Sequence, residues 1–474
     1  MIIALLLILP LLASLFLFSG KTGKESKSVA LVASLVVFVI SMVGAYTMYI
    51  TPGVVLTFDS NSLNLPIIAF LLKIDAPSML LIVLTSLLMP IIIASTEKSE
   101  QRSHNFFALI LLMEMALIGV FAASDMILFY IFWELALIPI FFITAFWGGE
   151  NAKRITVKFL IYTVVGSLFM LVGILYLYTL TPAPHSFSFE AFYQLHLPYA
   201  VQIPIFLAFF AAFAIKIPLF PFHTWQAETY NVSPVQGSML LAGIMLKMGL
   251  YGVYRFILPI CPDMLANGAQ LFIYLALFGV IYAAIIAIAQ PHLKKLIAFA
   301  SLSHVGIIAL GLMSNTHYGI EGAFLQMFSH GVNVVGFFLC YYVIVKRTNT
   351  DKISQLSGIA HQAPRFATVF LIIVLANVAL PLTNSFVGEF LILLGLFEFN
   401  KVIAIVAGLT IILGAVYMLK MYQKIMYGHQ NSLSDDFKDL TTQEMILFVP
   451  IIVAIFLVGI YPSFILQFIE GAIK

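Results

Sequence analysis

Charge is scarce in this chain: Asp, Glu, Lys and Arg together make up 9% of its 474 residues, against roughly a quarter in soluble domains. So few charges cannot cover the surface of a water-soluble protein of this length. The longest polar stretches, 50–75, 181–200, 346–366 and 428–443, are too short to fold alone. Only two cysteines occur, Cys261 and Cys340, and neither belongs to a CxxC pair. That spacing argues against an iron–sulfur cluster, a structural zinc site or a disulfide framework. Neither a Walker A string nor a GxGxxG between strand and helix is found, which disfavours ATP hydrolysis and dinucleotide binding within the chain. The basic residues are scattered among short loops, so the net charge of +2 gives no sign of a nucleic-acid partner.

Apolar residues fill the space that charge leaves. Hydrophobic residues account for 62% of the chain and the mean hydropathy is +1.07. Runs of about 20 apolar residues are what a bilayer crossing needs. They predict an all-α, polytopic membrane protein with about fourteen transmembrane helices, over 2–19, 28–49, 76–95, 104–122, 126–147, 157–180, 203–222, 235–258, 268–290, 295–313, 320–345, 367–397, 402–427 and 444–468. The first run has no basic residue before it and Lys21, Lys24 and Lys27 after it, so it reads as an uncleaved helix. With its N-terminus outside, seventeen basic residues fall on the cytoplasmic side. Four (Lys73, Arg255, Lys401 and Lys474) fall on the outer side, and Lys216 and Lys247 stay within the membrane. This asymmetry follows the positive-inside rule and places both termini outside the cytoplasm, in a bacterial inner (plasma) membrane. The many Phe and Met residues read as lipid-facing packing.

The charges left inside apolar runs are the candidate site. Lys216 in FLAFFAAFAIKIPLFPF, Lys247 in SMLLAGIMLKMGLYG and Glu134 in MILFYIFWELALIP each cost at least about 2.5–3.5 kcal/mol at bilayer depth, so such groups pair or line a water path. Burial favours a neutral lysine and a nearby carboxylate favours a charged one, so changing the distance between Glu134 and Lys216 would move a proton. Lys247 lies too far from its helix ends for its stem to reach the surface. Glu389 follows a second polar interruption, and His304 and His330 lie inside helices, either packed or ordering water. Glu114 (LLMEMAL) is a weaker relay candidate that could equally bond a neighbouring helix. Asp125 reads as a helix N-cap. His223, Glu228, Lys294, Lys295, Lys420 and Lys424 fall at or near the cytoplasmic helix ends and read mostly as anchors, though some could admit protons.

Two of the predicted helices are interrupted at these charges. Pro218 and Pro221 follow Lys216, and Asn377, Pro381, Thr383, Asn384 and Gly388 precede Glu389. Proline removes a backbone donor and breaks or kinks a helix. Broken helices in the two halves of one chain point to an inverted-repeat transporter, with helices 4–8 and 9–13 as two inverted five-helix repeats. The predicted organisation is helices 1–3 in 1–100, a first repeat in 101–260, a second in 261–430 and a last helix in 431–474.

The strings FWELALIPIFF, FAIKIPLFPFHTWQAETYNVSPVQGSMLLAGIMLKMGLYGVYRF, HLKKLIAFASLSHVG, LQMFSHGV and SFVGEFLILLG resemble the antiporter-like membrane subunits of respiratory complex I, over almost the whole chain. That resemblance implies the fourteen-helix fold and one proton channel per subunit. It implies that Glu134 and Lys216 are an ion pair, Lys247 the central relay lysine, His304 and His330 connecting histidines, and Glu389 the exit-side acid. Within the family one subunit type has glutamate at this last position, whereas L and N types and Mrp-type antiporter subunits carry lysine. GEFLIL sets this chain with the glutamate type.

The resemblance implies a subunit of a proton-translocating NADH:quinone oxidoreductase that holds no redox centre itself. FMN, iron–sulfur clusters, NADH and quinone would be bound by partner subunits, and adjacent antiporter-like subunits of the L and N types would be its neighbours in the bilayer. Two other readings remain open from the sequence. One is an ion-exchanging subunit of an Mrp-type Na⁺/H⁺ antiporter or a related hydrogenase complex; the other is a non-conducting scaffold whose charges only hold helices together.

Overall fold

Helix starts in this chain are set by short polar side chains that take up the first free backbone N–H groups. A computed structural model describes residues 1–20, 25–59, 71–96 and 104–471. Asp75 caps the Ala76–Ala94 helix by accepting from Ser78 N. Asp125 caps Met126–Leu135, as the sequence predicts. Asn400 caps Lys401–Met426, and Thr441 with Glu444 forms a capping box at Thr442–Ile460. A short antiparallel pair, Leu56–Asp59 with Leu71–Ile74, is the one sheet among the described residues.

Twelve helices among the described residues are long and apolar enough to span a membrane. The chain is an integral, multi-pass membrane protein. Two of the fourteen predicted spans differ from that set. The run 2–19 forms Ile2–Phe18, a 17-residue helix, and 367–397 divides into Pro364–Asn377 and Asn384–Phe399. Lys21, Lys24, Lys98, Arg102 and Lys474, which enter the charge asymmetry, lie outside the described residues.

The chain forms two compact units. The first holds Met1–Ile217, Ile244–Phe272 and Gln467–Lys474; the second holds Pro218–Gly243 and Ile273–Leu466. In the first unit, the Tyr199–Lys216 helix stops at Lys216, just before the two prolines. Gly249 and Gly252 let the following lysine-bearing helix approach it closely. A Cβ on Gly249 would lie 2.6 Å from Ile217 Cγ1, and one on Gly252 would run into the Phe213 ring.

In the second unit, the interruption spans residues 378–383. Ala379 and Leu382 there take positive φ of 57° and 74°, a conformation that costs non-glycine residues energy. The His317–Thr348 helix holds the broken ends. Asn333 Nδ2 donates to the Ala376 carbonyl (3.2 Å) and to Ser385 Oγ (2.9 Å), and Ser329 Oγ donates to the Asn384 carbonyl (2.9 Å). Side chains of one helix thus tie both sides of the break.

The aromatic residues correct the sequence reading. Phe106, Phe121, Phe129, Phe206, Phe209 and Phe213 are among the largest fully buried side chains, whereas Phe146, Phe169, Phe278 and Phe390 are exposed, so the rings divide between core and surface. Lipid tails are as apolar as a protein core, so hydropathy does not sort rings between the two.

Glycines also set the approach of His317–Thr348 to Asn384–Phe399 in the second unit. A Cβ on Gly322 would lie 2.6 Å from Ile392 N and 2.8 Å from the Gly388 carbonyl, so only a small residue allows this approach. Gly322→Val is expected to lower stability by about 1–3 kcal/mol through overpacking. The midpoint of detergent-induced unfolding checks this; an unchanged midpoint would contradict the close approach.

Candidate functional site

The first unit contains Glu114, Glu134, Lys216 and Lys247. Glu134 is the penultimate residue of the Met126–Leu135 helix, where a one-residue break at Ala136 precedes Leu137–Trp147. Pro139 lies just beyond, without an N–H for the Leu135 carbonyl. Lys216 is 1% exposed, and its Nζ makes no hydrogen bond with the protein. It lies 5.0 Å from the centroid of the buried Trp133 ring, whose π face supplies electrostatic attraction. Glu134 acts on Lys216 electrostatically, but the two are not hydrogen-bonded, and Glu134 Oε1 also has no such partner. The pair expected from the sequence is therefore open here, with Glu134 only partly buried.

Lys247 is fully buried in the Leu246–Gly252 segment of the Val235–Ile260 span. π-helical turns at Leu241–Met245 and Val253–Ile257 flank that segment. Such single turns, each holding an extra residue, recur at functional sites. Glu114, in His104–Ala122, is fully buried and neither carboxyl oxygen has a hydrogen-bond partner. No sequence signal marks the π turns. Trp133 could have been found by its place next to Glu134.

The second unit gathers His304, His330 and Glu389. Gln326 Nε2 donates to Glu389 Oε1 (3.0 Å), and His304 Nδ1 lies 3.1 Å from the same oxygen. The His304 and His330 ring centroids are 6.2 Å apart, and His330 Nε2 lies 3.1 Å from Ser301 Oγ. A cavity of about 10 Å³, lined by His304, Asn377, Glu389 and Thr410 among others, is near the lower limit for one water. Sequence reasoning missed Gln326 and Ser301. Gln326 sits one turn before His330 in an apolar helix, and that polar intrusion was the available signal.

Lys294 is not a surface anchor. It is 4% exposed, and its Nζ donates to the carbonyls of Asn231 (3.1 Å) and Ser233 (2.5 Å) at the end of the Gln226–Val232 helix. Among the described residues, no group of three or more His, Cys, Asp or Glu could hold a metal ion.

A family model described as NADH:quinone oxidoreductase/Mrp antiporter, TM, matches residues 123–414, which include every candidate above except Glu114. NADH-quinone oxidoreductase subunit M of Rickettsia conorii (strain ATCC VR-613 / Malish 7) is 37% identical, over 98% of this chain and 96% of its own length. A chain in the structure of respiratory complex I from Thermus thermophilus with bound NADH superposes with a TM-score of 0.90 at 31% identity. That match covers 100% of this chain and 97% of the other. A chain of the Mrp complex from Dietzia sp. DQ12-45-1b has a TM-score of 0.87 at 18% identity, covering 100% and 97% respectively, a likeness of fold alone.

Gln326→Leu would leave the buried Glu389 carboxyl without its amide donor. The expected cost is about 1–3 kcal/mol, measured as a lower unfolding midpoint in detergent. Replacing both partners, Gln326→Leu with Glu389→Leu, is expected to recover much of that loss; a double variant as unstable as the single one would exclude the hydrogen bond as its cause.

Proposed function

The chain belongs to the NADH:quinone oxidoreductase/Mrp antiporter family of membrane subunits, and we propose from that premise how it moves protons. It is a proton-translocating membrane-arm subunit of NADH:quinone oxidoreductase and works as part of that translocase. Partner membrane-arm subunits accompany it; we assign them to the L and N types. Flavin, iron–sulfur clusters, NADH and quinone belong, in this reading, to other subunits. The fold reading adds the short Ile2–Phe18 helix and the divided Pro364–Phe399 segment to the twelve long helices. That gives fourteen spans, with helices 4–8 and 9–13 as inverted five-helix repeats and both termini outside a bacterial inner membrane.

In the proposed mechanism, a signal along the membrane arm changes the Glu134–Lys216 separation. Lys216 then passes a proton to Lys247, and the proton continues by His304 and His330 to Glu389 for release outside. Glu114 is a further holding site in the first unit. The direction is from cytoplasm to outside, and this chain does no redox chemistry. The observation that carries the reading is Lys216: a buried amine, without a hydrogen bond, beside a carboxylate that influences it from a distance. Such a group is costly to keep in a membrane for structure alone. The His304–Glu389–Gln326 contacts in the second unit support a proton-holding end site.

Lys247→Ala tests the relay in membranes, with assembly checked on native gels. NADH-driven, quinone-dependent proton pumping is expected to fall by at least about tenfold, the scale of a lost proton-transfer group, while the complex stays assembled. Normal pumping by assembled Lys247→Ala complex would remove the relay. Loss of assembly together with pumping would favour the scaffold reading, and sodium-dependent transport without NADH would favour the antiporter one.

A further inference from the structure

Two turns beyond Lys247, the same helix carries a second charge that the relay does not use. Arg255 lies about 12 Å of helical rise from Lys247, within the π turn Val253–Ile257. Its guanidinium is tied on several sides within the first unit. Nε donates to Tyr251 Oη (2.9 Å), and Nη2 donates to Ser78 Oγ (3.0 Å) and to Asp75 Oδ1. Tyr251, one turn from Lys247 and 1% exposed, is in turn 2.8 Å from Ser78 Oγ and bonded to the Phe121 carbonyl (3.1 Å). The Tyr193 hydroxyl donates to the Arg255 carbonyl (2.9 Å), which clasps the backbone as well.

Asp75 is the fixed point of this cluster, because the same carboxylate caps the Ala76–Ala94 helix. Burial alone would raise its pKa, but the Arg255 charge and hydrogen bond outweigh that and hold the carboxyl below its ordinary value. The pair is thus ionised and rigid. Immediately against it is a cavity of about 180 Å³, lined by Lys73, Asp75, Ser124, Glu190, Tyr193 and Arg255 among others. Lys73 and Glu190 form a half-exposed ion pair at its wall. Solvent-sized space therefore reaches Arg255 and Tyr251.

We propose that Arg255, held by Asp75, Ser78 and Tyr251, is a seal between Lys247 and the cavity on the Asp75 side of the membrane, and that its fixed positive charge turns back protons arriving from that side. A guanidinium does not deprotonate in proteins, so it cannot pass a proton on. A positive charge at a constriction raises the barrier for protons and cations, a device that pores use for selectivity. The hydroxyls of Tyr251 and Ser78 are bonded to each other and to Arg255, and Tyr251 lies between Lys247 and Arg255 in the helix sequence. In the orientation proposed above, the Asp75 side is the outer face, and the seal keeps pumped protons from returning to Lys247. The inference rests on that reading for its direction, but not for the existence of the barrier.

The test is passive proton leak in membrane vesicles containing the whole complex, at equal assembly on native gels. A pH gradient is imposed without NADH, and its decay is followed with a pH-sensitive dye. Arg255→Gln is expected to speed decay several-fold and to lower the gradient sustained by NADH, while NADH:quinone reduction continues. Arg255→Lys, which keeps the charge, is expected to decay close to wild type. Wild-type decay in assembled Arg255→Gln overturns the seal. So does Arg255→Lys leaking as fast as Arg255→Gln, since a tie between helix ends alone would not distinguish charge from its absence. If Arg255→Gln does not assemble, Tyr251→Phe keeps the ring and removes the hydroxyl link. Faster decay is expected there too, and unchanged decay overturns the proposal. A wild type without NADH-driven pumping would count against the proposed function while leaving the leak readable.

Discussion

A bilayer offers no water to a carbonyl, an N–H or an ammonium, and each feature of this chain answers that shortage. Where a helix runs unbroken, the backbone satisfies itself. At residues 378–383 the helix is interrupted, and Asn333 and Ser329 of a neighbouring helix bond the carbonyls of Ala376 and Asn384 on either side of the break. Lys294 does the same at the end of Gln226–Val232, as a cation set on carbonyls at a helix C-terminus. The clamp makes the broken helix a fixed part of the structure rather than a weak point. Glu389 can therefore be held at a defined place between Gln326 and His304.

Buried and partly buried ionisable groups are met in two ways here. Glu389 and His330 in the second unit, and Asp75 and Arg255 in the first, have polar side-chain partners. Lys216 and Glu114 in the first have no hydrogen-bond partner, and Lys216 has an aromatic face instead. Desolvated groups left in this state are the ones whose protonation responds most to a moving neighbour. In the proposed relay, groups without partners suit the release of a proton and groups with partners suit its retention.

Much of this could be read from the residues before any coordinates. Charges in apolar runs identify themselves by their cost, and prolines after Lys216 and before Glu389 mark both helix breaks. Asp125 identifies itself as a cap by position. What stayed hidden depends on neighbours distant in sequence. Arg255 and Asp75 are 180 positions apart, and nothing local links them. The partly buried, open Glu134–Lys216 arrangement was not legible either, because a sequence gives residue types and spacing but not separations. Aromatic rings were assigned to lipid because hydropathy does not distinguish a dry core from a dry solvent, and Phe213 beside Trp133 shows how a ring instead walls in a charge.

The π turns on either side of Lys247 change the register of its helix. Each turn holds one residue more than an α-helix would, so the seven residues from Leu246 to Gly252 are offset from the α-helical register on either side. One extra residue is an offset of about 100°, the angle of one helical residue. The direction in which the lysine points is therefore not the one that an unbroken α-helix through the same stretch would give it.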